Sequence, residues 1–150
     1  MALDMLGVAD ALAARYASAV VTPPTGYTNI RGSTARTPNN IPALPFVIVE
    51  LPQGPLTYQS GRRLGTHTFE VFFLYSRASG DVPRDKAAML SWLSVLLDQL
   101  HAQVKLGLTS VMKALVTTYA SVNATYAGQD YYAWQITVQV WTEDSVTLTP

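Results

Sequence analysis

The stretch THTFEVFFLYSR, residues 66–77, decides how this chain folds. Its apolar side chains alternate along the chain with the two-residue period of a β-strand. One face of this strand carries Phe69, Val71, Phe73 and Tyr75. Phe72 and Leu74 lie on the other face, so the middle of the strand is apolar on both sides. Both faces therefore have to be covered, one by a helix of this chain and the other by this chain or by another subunit.

A helix is predicted directly after this strand. Asp81 and Asp85 flank Pro83 at its start, where negative charge stabilises the helix dipole. Gly107 is a natural stop beyond its last turn. The apolar stripe of the helix, spaced three and four residues apart, consists of Met89, Trp92, Leu93, Leu96, Leu97 and Leu100. We expect this helix to be the main one that packs on the sheet.

Two more strands are predicted behind the helix. Residues 110–127 are rich in Val, Thr and Tyr and read as a strand that could be broken near residues 121–123. Residues 128–130 form a hairpin turn, and Tyr131 to Glu143 form the final strand. Its core-facing residues are Trp134, Ile136, Val138 and Val140. Residues 144–150 are expected to form an extended C-terminal tail.

The sequence before the decisive stretch begins with a helix. Residues 3–21 have helical spacing, Asp4 can cap the first turn, and Pro23 and Pro24 end the helix. Residues 23–45 have neither a helical nor a strand period. We expect a long loop there that is either flexible or ordered against a partner.

Two short strands are predicted between this loop and the decisive stretch. Phe46 to Leu51 is an apolar run between prolines, which is typical of a buried strand. Leu56 to Ser60 is a shorter strand, and residues 61–65 form a tip with two adjacent arginines. The order of elements predicts one α+β domain over residues 1–150. We expect an antiparallel or mixed sheet of about five strands with two main helices on one face.

The composition indicates contact with other proteins. Of the 150 residues, 49% are hydrophobic and only 13% are charged, whereas about 25% is usual for charged residues. Interface cores are depleted in charge, so we expect partners to cover part of the surface.

Ten basic and ten acidic residues give a net charge of zero, which provides no attraction to nucleic acid or membranes. No apolar run is long enough for a membrane span. The chain has no cysteine and begins without a secretory signal, which fits folding in a reducing cytoplasm.

The search for catalytic, cofactor-binding and metal-binding motifs is negative. His67 lies among strand residues with no Asp or Cys at ligand spacing, and neither His67 nor His101 belongs to an HExxH pattern or a His-Cys cluster. Glu143 and Asp144 are adjacent in a strand and point to opposite faces, so they are poor partners for acid–base catalysis. We predict no catalytic residue, no cofactor and no metal. The opposing interpretation, a small enzymatic or ligand-binding α+β domain, needs a polar constellation around a pocket.

Two groups of residues are candidates for an interface. The first contains Arg31, Arg36, Arg62 and Arg63, all on predicted loops, which could contact a neighbouring subunit or DNA phosphates, or simply be solvated. The second contains apolar and aromatic residues, which could equally pack within one sheet. Its members are Phe72 and Leu74 of the decisive strand and Tyr119, Tyr126, Tyr131, Tyr132 and Trp141 of the last hairpin.

The order of elements resembles the tail-terminator, or tail-completion, proteins of long-tailed bacteriophages. Three stretches carry the resemblance. The first is the N-terminal helix with the Pro-rich loop and the strand PFVIVEL; the second is the arginine-tipped hairpin leading into HTFEVFFLYSR and the helix DKAAMLSWLSVLLDQL. The third is the C-terminal hairpin that ends in YYAWQITVQVWTE.

This resemblance implies a structural protein of the virion tail or neck, assembled in the host cytoplasm. Members of the family form rings, usually hexamers, on the last ring of tail-tube subunits. The ring stops tube polymerisation and presents a docking surface for head-completion proteins, and DNA later passes through its lumen. The resemblance implies neither an enzyme nor a membrane protein. A head–tail joining or head-closure protein of the neck is the alternative.

Overall fold

Two helices and six strands follow one another in the computed structural model, which describes residues 2–78 and 82–149 and only the backbone of residues 82–85. The helices are α1 (Met5–Arg15) and α2 (Val82–Asp98). The strands are β1 (Gly32–Thr34), β2 (Phe46–Val49), β3 (Leu56–Gln59), β4 (Arg62–Arg77), β5 (Val111–Tyr126) and β6 (Gln129–Ser145). The predicted α+β class is confirmed, and the mixed sheet has six strands where about five were expected.

The sheet is built around β4, the strand that contains the decisive stretch. The strand order is β1-β2-β4-β6-β5, and β3 pairs with the first residues of β4. β4 runs antiparallel to β2, β3 and β6, whereas β1 runs parallel to β2. The register from Arg62 opposite Ser145 to Arg77 opposite Tyr131 spans the whole of β4. β5 then forms the edge beyond β6.

Both helices pack on one face of this sheet, as the sequence predicts, and we call it the helix face. One buried cluster joins α1, α2 and the sheet, and the predicted core residues of β6 belong to it. The ring of Trp92 is fully buried and lies 5.0 Å from the ring of Phe73. The indole of Trp134 donates a hydrogen bond to the carbonyl of Met89, at 2.7 Å. These contacts fix α2 against the middle of β4 and β6.

The opposite face of the sheet has its own small cluster. Leu74 is fully buried there, together with Phe46, Ile48, Ala124, Tyr131 and Ala133. Ile41 and Leu44 of the segment before β2 pack against this cluster. The cover that was expected from this chain or from another subunit therefore comes, over this part of the face, from residues of the chain itself.

The long loop predicted over residues 23–45, flexible or ordered against a partner, contains a strand that was not predicted, β1, which pairs with β2 of the same chain. The Ser33 hydroxyl donates to the carbonyl of Ala13 at 2.6 Å, and the Asn29 amide donates to the carbonyl of Val21 at 3.1 Å. The backbone N–H of Arg31 donates to Pro45 at 2.7 Å. A Gly-Ser-Thr strand has no apolar alternation, so its pairing depends on distant partners and leaves no periodic signal.

The helix ends differ from the predicted ones. Asp4 caps α1 as predicted, because its carboxylate accepts a hydrogen bond from the N–H of Gly7 at 2.9 Å. The helix ends at Arg15, not at residue 21, and turns continue the chain. The Arg15 guanidinium binds the carbonyl of Gln99, so the last turn of α1 is fixed to the loop after α2.

α2 ends at Asp98, well before Gly107. The predicted cap at Asp81, Pro83 and Asp85 lies outside the described side chains.

The strand ends also differ from the predicted ones. β5 is continuous through residues 121–123, and its irregularities lie at Val111/Lys113 and Val116/Thr118. The hairpin turn is Ala127–Gly128, and both residues have positive φ. β4 begins at Arg62, so the two tip arginines belong to a strand. β6 continues to Ser145, which shortens the predicted tail.

Candidate interaction surfaces

The outer edge of β5, residues Val111–Tyr126, is the largest open feature of the sheet, and we call it the β5 edge. Among the described residues β5 pairs with β6 alone, so its other side presents unpaired backbone donors and acceptors. Residues 117–121 are all exposed. Natural edges are usually protected by charge, proline or short length. This edge has 16 residues, no proline and one charged residue, Lys113, and only its two irregularities interrupt it.

An apolar groove lies beside the β5 edge on the helix face. Its volume is about 310 Å³. It is lined by Lys86, Met89, Leu90, Ser121, Asn123, Tyr132 and Trp134. The ring of Tyr119, itself 53% exposed, stands edge-on to Trp134 with centroids 5.7 Å apart. A strand added to β5 would place its helix-face side chains over this groove.

A polar cluster holds together the end of the sheet where β4 begins and β6 ends. The Arg63 guanidinium binds both carboxylate oxygens of Asp144, at 3.0 and 2.6 Å, and the backbone N–H of Leu3 also donates to Asp144. The hydrogen bonds from Arg63 lower the pKa of Asp144. His67 is 8% exposed and its Nε2 lies 2.9 Å from the Thr142 hydroxyl. Burial lowers the pKa of His67, and the nearby charge of Arg63 lowers it further.

The four predicted interface arginines form two separate groups. Arg62 and Arg63 lie at the start of β4 and are paired with acids of β6, Arg62 with Glu143 at 2.8 Å and Arg63 with Asp144. Arg31 and Arg36 lie beside β1, and Arg36 reaches Asp10 only at 3.9 Å. Because Asp144 has a 1% exposed side chain, the role of Arg63 is to neutralise a buried carboxylate. Arg31 is exposed and remains available to a partner.

The predicted aromatic and apolar interface residues are largely used inside the chain. Leu74 is 0% and Tyr131 is 3% exposed, so neither can contact a partner in this conformation, and their assignment to the surface is corrected. Phe72 is half-buried and packs edge-on to Tyr126.

The remaining aromatic residues keep some exposed area. Trp141 is half-buried, and the Lys113 ammonium lies 4.5 Å from its ring centroid. Tyr132 is half-buried and lines the apolar groove. The Tyr126 hydroxyl donates to the Glu50 carboxylate at 2.5 Å, and burial raises the pKa of Tyr126. The alternative, aromatic pairing across neighbouring strands of one sheet, describes the contact of Tyr119 with Trp134.

Two features of the surface were not predicted from the sequence. The first is the β5 edge, because a strand's position in the sheet cannot be read from its own residues. The second is the pair Leu56 and Tyr58 on β3, which are 44% and 51% exposed. A signal for the second was present, since Pro55 directly precedes this short strand and proline within sheets is confined to edge strands, first residues and bulges.

The described residues contain no group of three His, Cys, Asp or Glu side chains placed to hold a metal ion. In the same residues, no helix has the length and apolar character needed to cross a membrane. Comparison with protein-family models finds no match for this chain. Comparison with curated proteins also finds no match.

Proposed function

We propose that this protein is a structural subunit of a bacteriophage tail, a tail terminator that assembles into a ring on the end of the tail tube. The β5 edge carries the proposal. Sixteen residues of strand with one charged side chain form a template for pairing with another chain, and such an edge is normally protected when a protein acts alone. The zero net charge adds no long-range repulsion between copies.

The face of the sheet opposite the helices supports the same role. Between the small buried cluster and the end where β4 begins, its half-buried side chains on β4 and β6 are Thr66, Thr68, Glu70, Gln135, Thr137, Gln139 and Trp141. Gln135 and Thr137 donate to the Glu70 carboxylate, at 3.1 and 2.9 Å, which satisfies its charge locally. These side chains of β4 and β6 include no lysine or arginine, and Lys113 of β5 lies over the ring of Trp141 at their border. A surface with so few cations suits a lumen through which DNA passes without being held.

In this function the protein contacts three kinds of protein partner and, transiently, DNA. Copies of itself form the ring, for which the resemblance implies six subunits. The tail-tube protein binds one side of the ring and a head-completion protein binds the other. The passing DNA makes only transient, non-specific contact. The role is one of binding and needs no catalysis, cofactor or metal.

The test is capping of tail tubes. Purified protein is added to growing tubes of the cognate tube protein, and tube length and end occupancy are measured by electron microscopy. We expect density at one end only and an arrest of growth. The variant Tyr119→Lys, on the β5 edge, should cap less well, whereas Leu6→Lys, at an exposed apolar position of α1, should cap like the wild type. Binding to portal-bearing heads and not to tubes would contradict the terminator role and favour the neck alternative.

A further inference from the structure

Exposed apolar side chains lie on two opposite borders of the sheet. On β3, Leu56 is 44% and Tyr58 is 51% exposed, and we call these two residues the β3 patch. Near the β5 edge, Tyr119 is 53% and Leu90 of α2 is 54% exposed, and we call these two the β5 patch. β3 pairs with β4 alone among the described strands, so its outer side is also unpaired. The two borders therefore present both open backbone groups and uncovered apolar surface.

Both patches lie on the helix face of the sheet. Leu56 and Tyr58 are opposite Gly65 and Arg63 of β4, and Arg63 in turn is opposite the buried Asp144 of β6. Tyr119 is opposite the buried Ile136, a residue of the core under the helices. Directly opposite residues in neighbouring strands share a face. A strand pair between β3 and β5 would therefore place the apolar side chains of both borders on the same side. Leu56 is level with Val111, through Gly65 and Thr142, so contact between the two patches requires the second copy to be shifted along the strands from Val111 to Tyr119.

The strand directions also match. β3 and β6 both run antiparallel to β4. β5 runs antiparallel to β6 and therefore in the same direction as β4. β3 and β5, the two outer strands, consequently run in opposite directions. When a second copy is placed beside the first in the same orientation, its β3 meets the first copy's β5 antiparallel. Such a contact joins two different borders, which makes it heterologous, and heterologous contacts close into rings when the rotation allows.

We propose that β5 of one copy pairs antiparallel with β3 of the next, and that the β3 patch packs on the β5 patch beside the apolar groove. This inference rests on the proposed self-assembly and names the two surfaces that meet. β3 carries no charged residue, so Lys113, the one charged residue of β5, meets no like charge on the added strand. A two-fold contact between two β5 edges is the competing arrangement, and it would leave the β3 patch exposed.

A mixing experiment with two variants tests the proposal. Leu56→Lys damages only the β3 border, and Tyr119→Lys damages only the β5 border. Both positions are on the surface, and circular dichroism with thermal melting verifies that each variant is folded. Native mass spectrometry then measures the size of the wild-type protein, of each variant and of their equimolar mixture. Leu6→Lys, a substitution of the same kind away from both borders, is the matched control.

We expect the wild type and Leu6→Lys to form assemblies larger than a dimer, and each border variant alone to be monomeric. The mixture should contain a one-to-one dimer, because one intact β5 border and one intact β3 border remain in it. If Leu56→Lys still dimerises while Tyr119→Lys does not, the two-fold contact is correct and the proposal is overturned. A wild type that stays monomeric and yet caps tail tubes also overturns this pairing but leaves the terminator function intact. Assemblies that obey the mixing rule but never bind tubes would refute the function and not the pairing.

Discussion

At the scale of single residues, the end of the sheet where β4 begins and β6 ends is stabilised by polar side chains that are tightly packed. His67 lies against Gly65, where a β-carbon would collide with the imidazole Nε2 and the Thr142 hydroxyl. Arg63 neutralises Asp144, which also accepts a hydrogen bond from the backbone of Leu3. One small cluster therefore joins the segment before α1 to the two central strands.

The first prediction concerns the pH dependence of stability. His67 has a lowered pKa in the folded protein because it is buried, whereas the unfolded chain has the ordinary value of about 6.5. Between these two values the unfolded state binds more protons, so stability falls as the pH drops from neutral through about 6.5 and on to the folded pKa. We expect the melting temperature to decrease between about pH 7.5 and 5.5, and to decrease less in His67→Gln.

His101→Gln is the matched control for this experiment. Its side chain is 67% exposed, so its replacement should leave the wild-type slope unchanged. An equal slope in His67→Gln and the wild type would contradict the assignment of the pH dependence to His67.

The second prediction concerns Gly54, the residue that lets the chain pass close to β4 before β3. A β-carbon at this position would fall on the carbonyl oxygen of Thr66. The neighbouring bridge, in which Gln53 and Thr68 exchange backbone hydrogen bonds at 3.2 and 2.7 Å, holds β3 at the sheet. Gly54→Ala should lower the free energy of unfolding by about 1–3 kcal/mol, measured by urea denaturation. Gly26→Ala, where φ is +88° and nothing lies within 4 Å of the new carbon, measures the separate cost of a strained backbone without a collision.

At the scale of secondary-structure elements, the β5–β6 hairpin turns through Ala127 and Gly128, with φ of +52° and +76°. A two-residue turn with two positive φ values matches the twist of the strands, and asparagine followed by glycine is its preferred sequence. Alanine is strained in this conformation because of its β-carbon. The backbone strain at Ala127, in the hairpin that presents the β5 edge, can therefore be relieved by substitution.

The third prediction follows from this turn. Ala127→Asn should raise the free energy of unfolding by about 0.5–1 kcal/mol, because asparagine tolerates positive φ better than alanine does. Thermal or urea denaturation measures the gain. Ala120→Asn, at an exposed position within β5, should give no gain, and a stabilisation of the same size there would contradict the explanation.

Some secondary-structure elements could be predicted from the sequence and others could not. The long amphipathic and alternating segments, α2, β4 and β6, were predictable because their side chains repeat with the period of the backbone. β1 was not, since Gly32, Ser33 and Thr34 have no apolar side and pair only because Phe46 to Ile48 lie beside them. The end of α1 was missed because the contact of Arg15 with Gln99 joins residues far apart in the chain.

For the candidate surface, the sequence indicated contact with partners but assigned it to the wrong side chains at two positions. Leu74 and Tyr131 have the composition of interface residues, yet the chain buries them itself. Whether an apolar side chain is covered depends on how strands are ordered in the sheet. That order is set by long-range pairing, such as β4 with β6, which local sequence does not specify.

At the scale of the whole molecule, ten basic and ten acidic residues cancel, and the arginines of β4 are paired with acids. The fourth prediction is that the isolated protein binds duplex DNA with a Kd of about 10⁻⁴ M or weaker at physiological salt, the weak end of non-specific binding. Fluorescence anisotropy with a labelled duplex measures it, and Arg31→Ala should match the wild type. Tight binding that weakens steeply with salt would instead identify a nucleic-acid-binding protein.

The central pairing of β4 with β6 also determines when, during its synthesis, the protein becomes able to assemble. β4 is complete at Arg77, but its neighbour β6 begins only at Gln129, and β5 has no partner until β6 exists. A nascent chain held on the ribosome before residue 129 can therefore pair β2 and β3 with β4, but it cannot complete the sheet or display the β5 edge. Neighbouring chains on one messenger RNA consequently cannot join through the β5 edge of a chain that is still unfinished, so the timing of translation itself delays assembly through this edge.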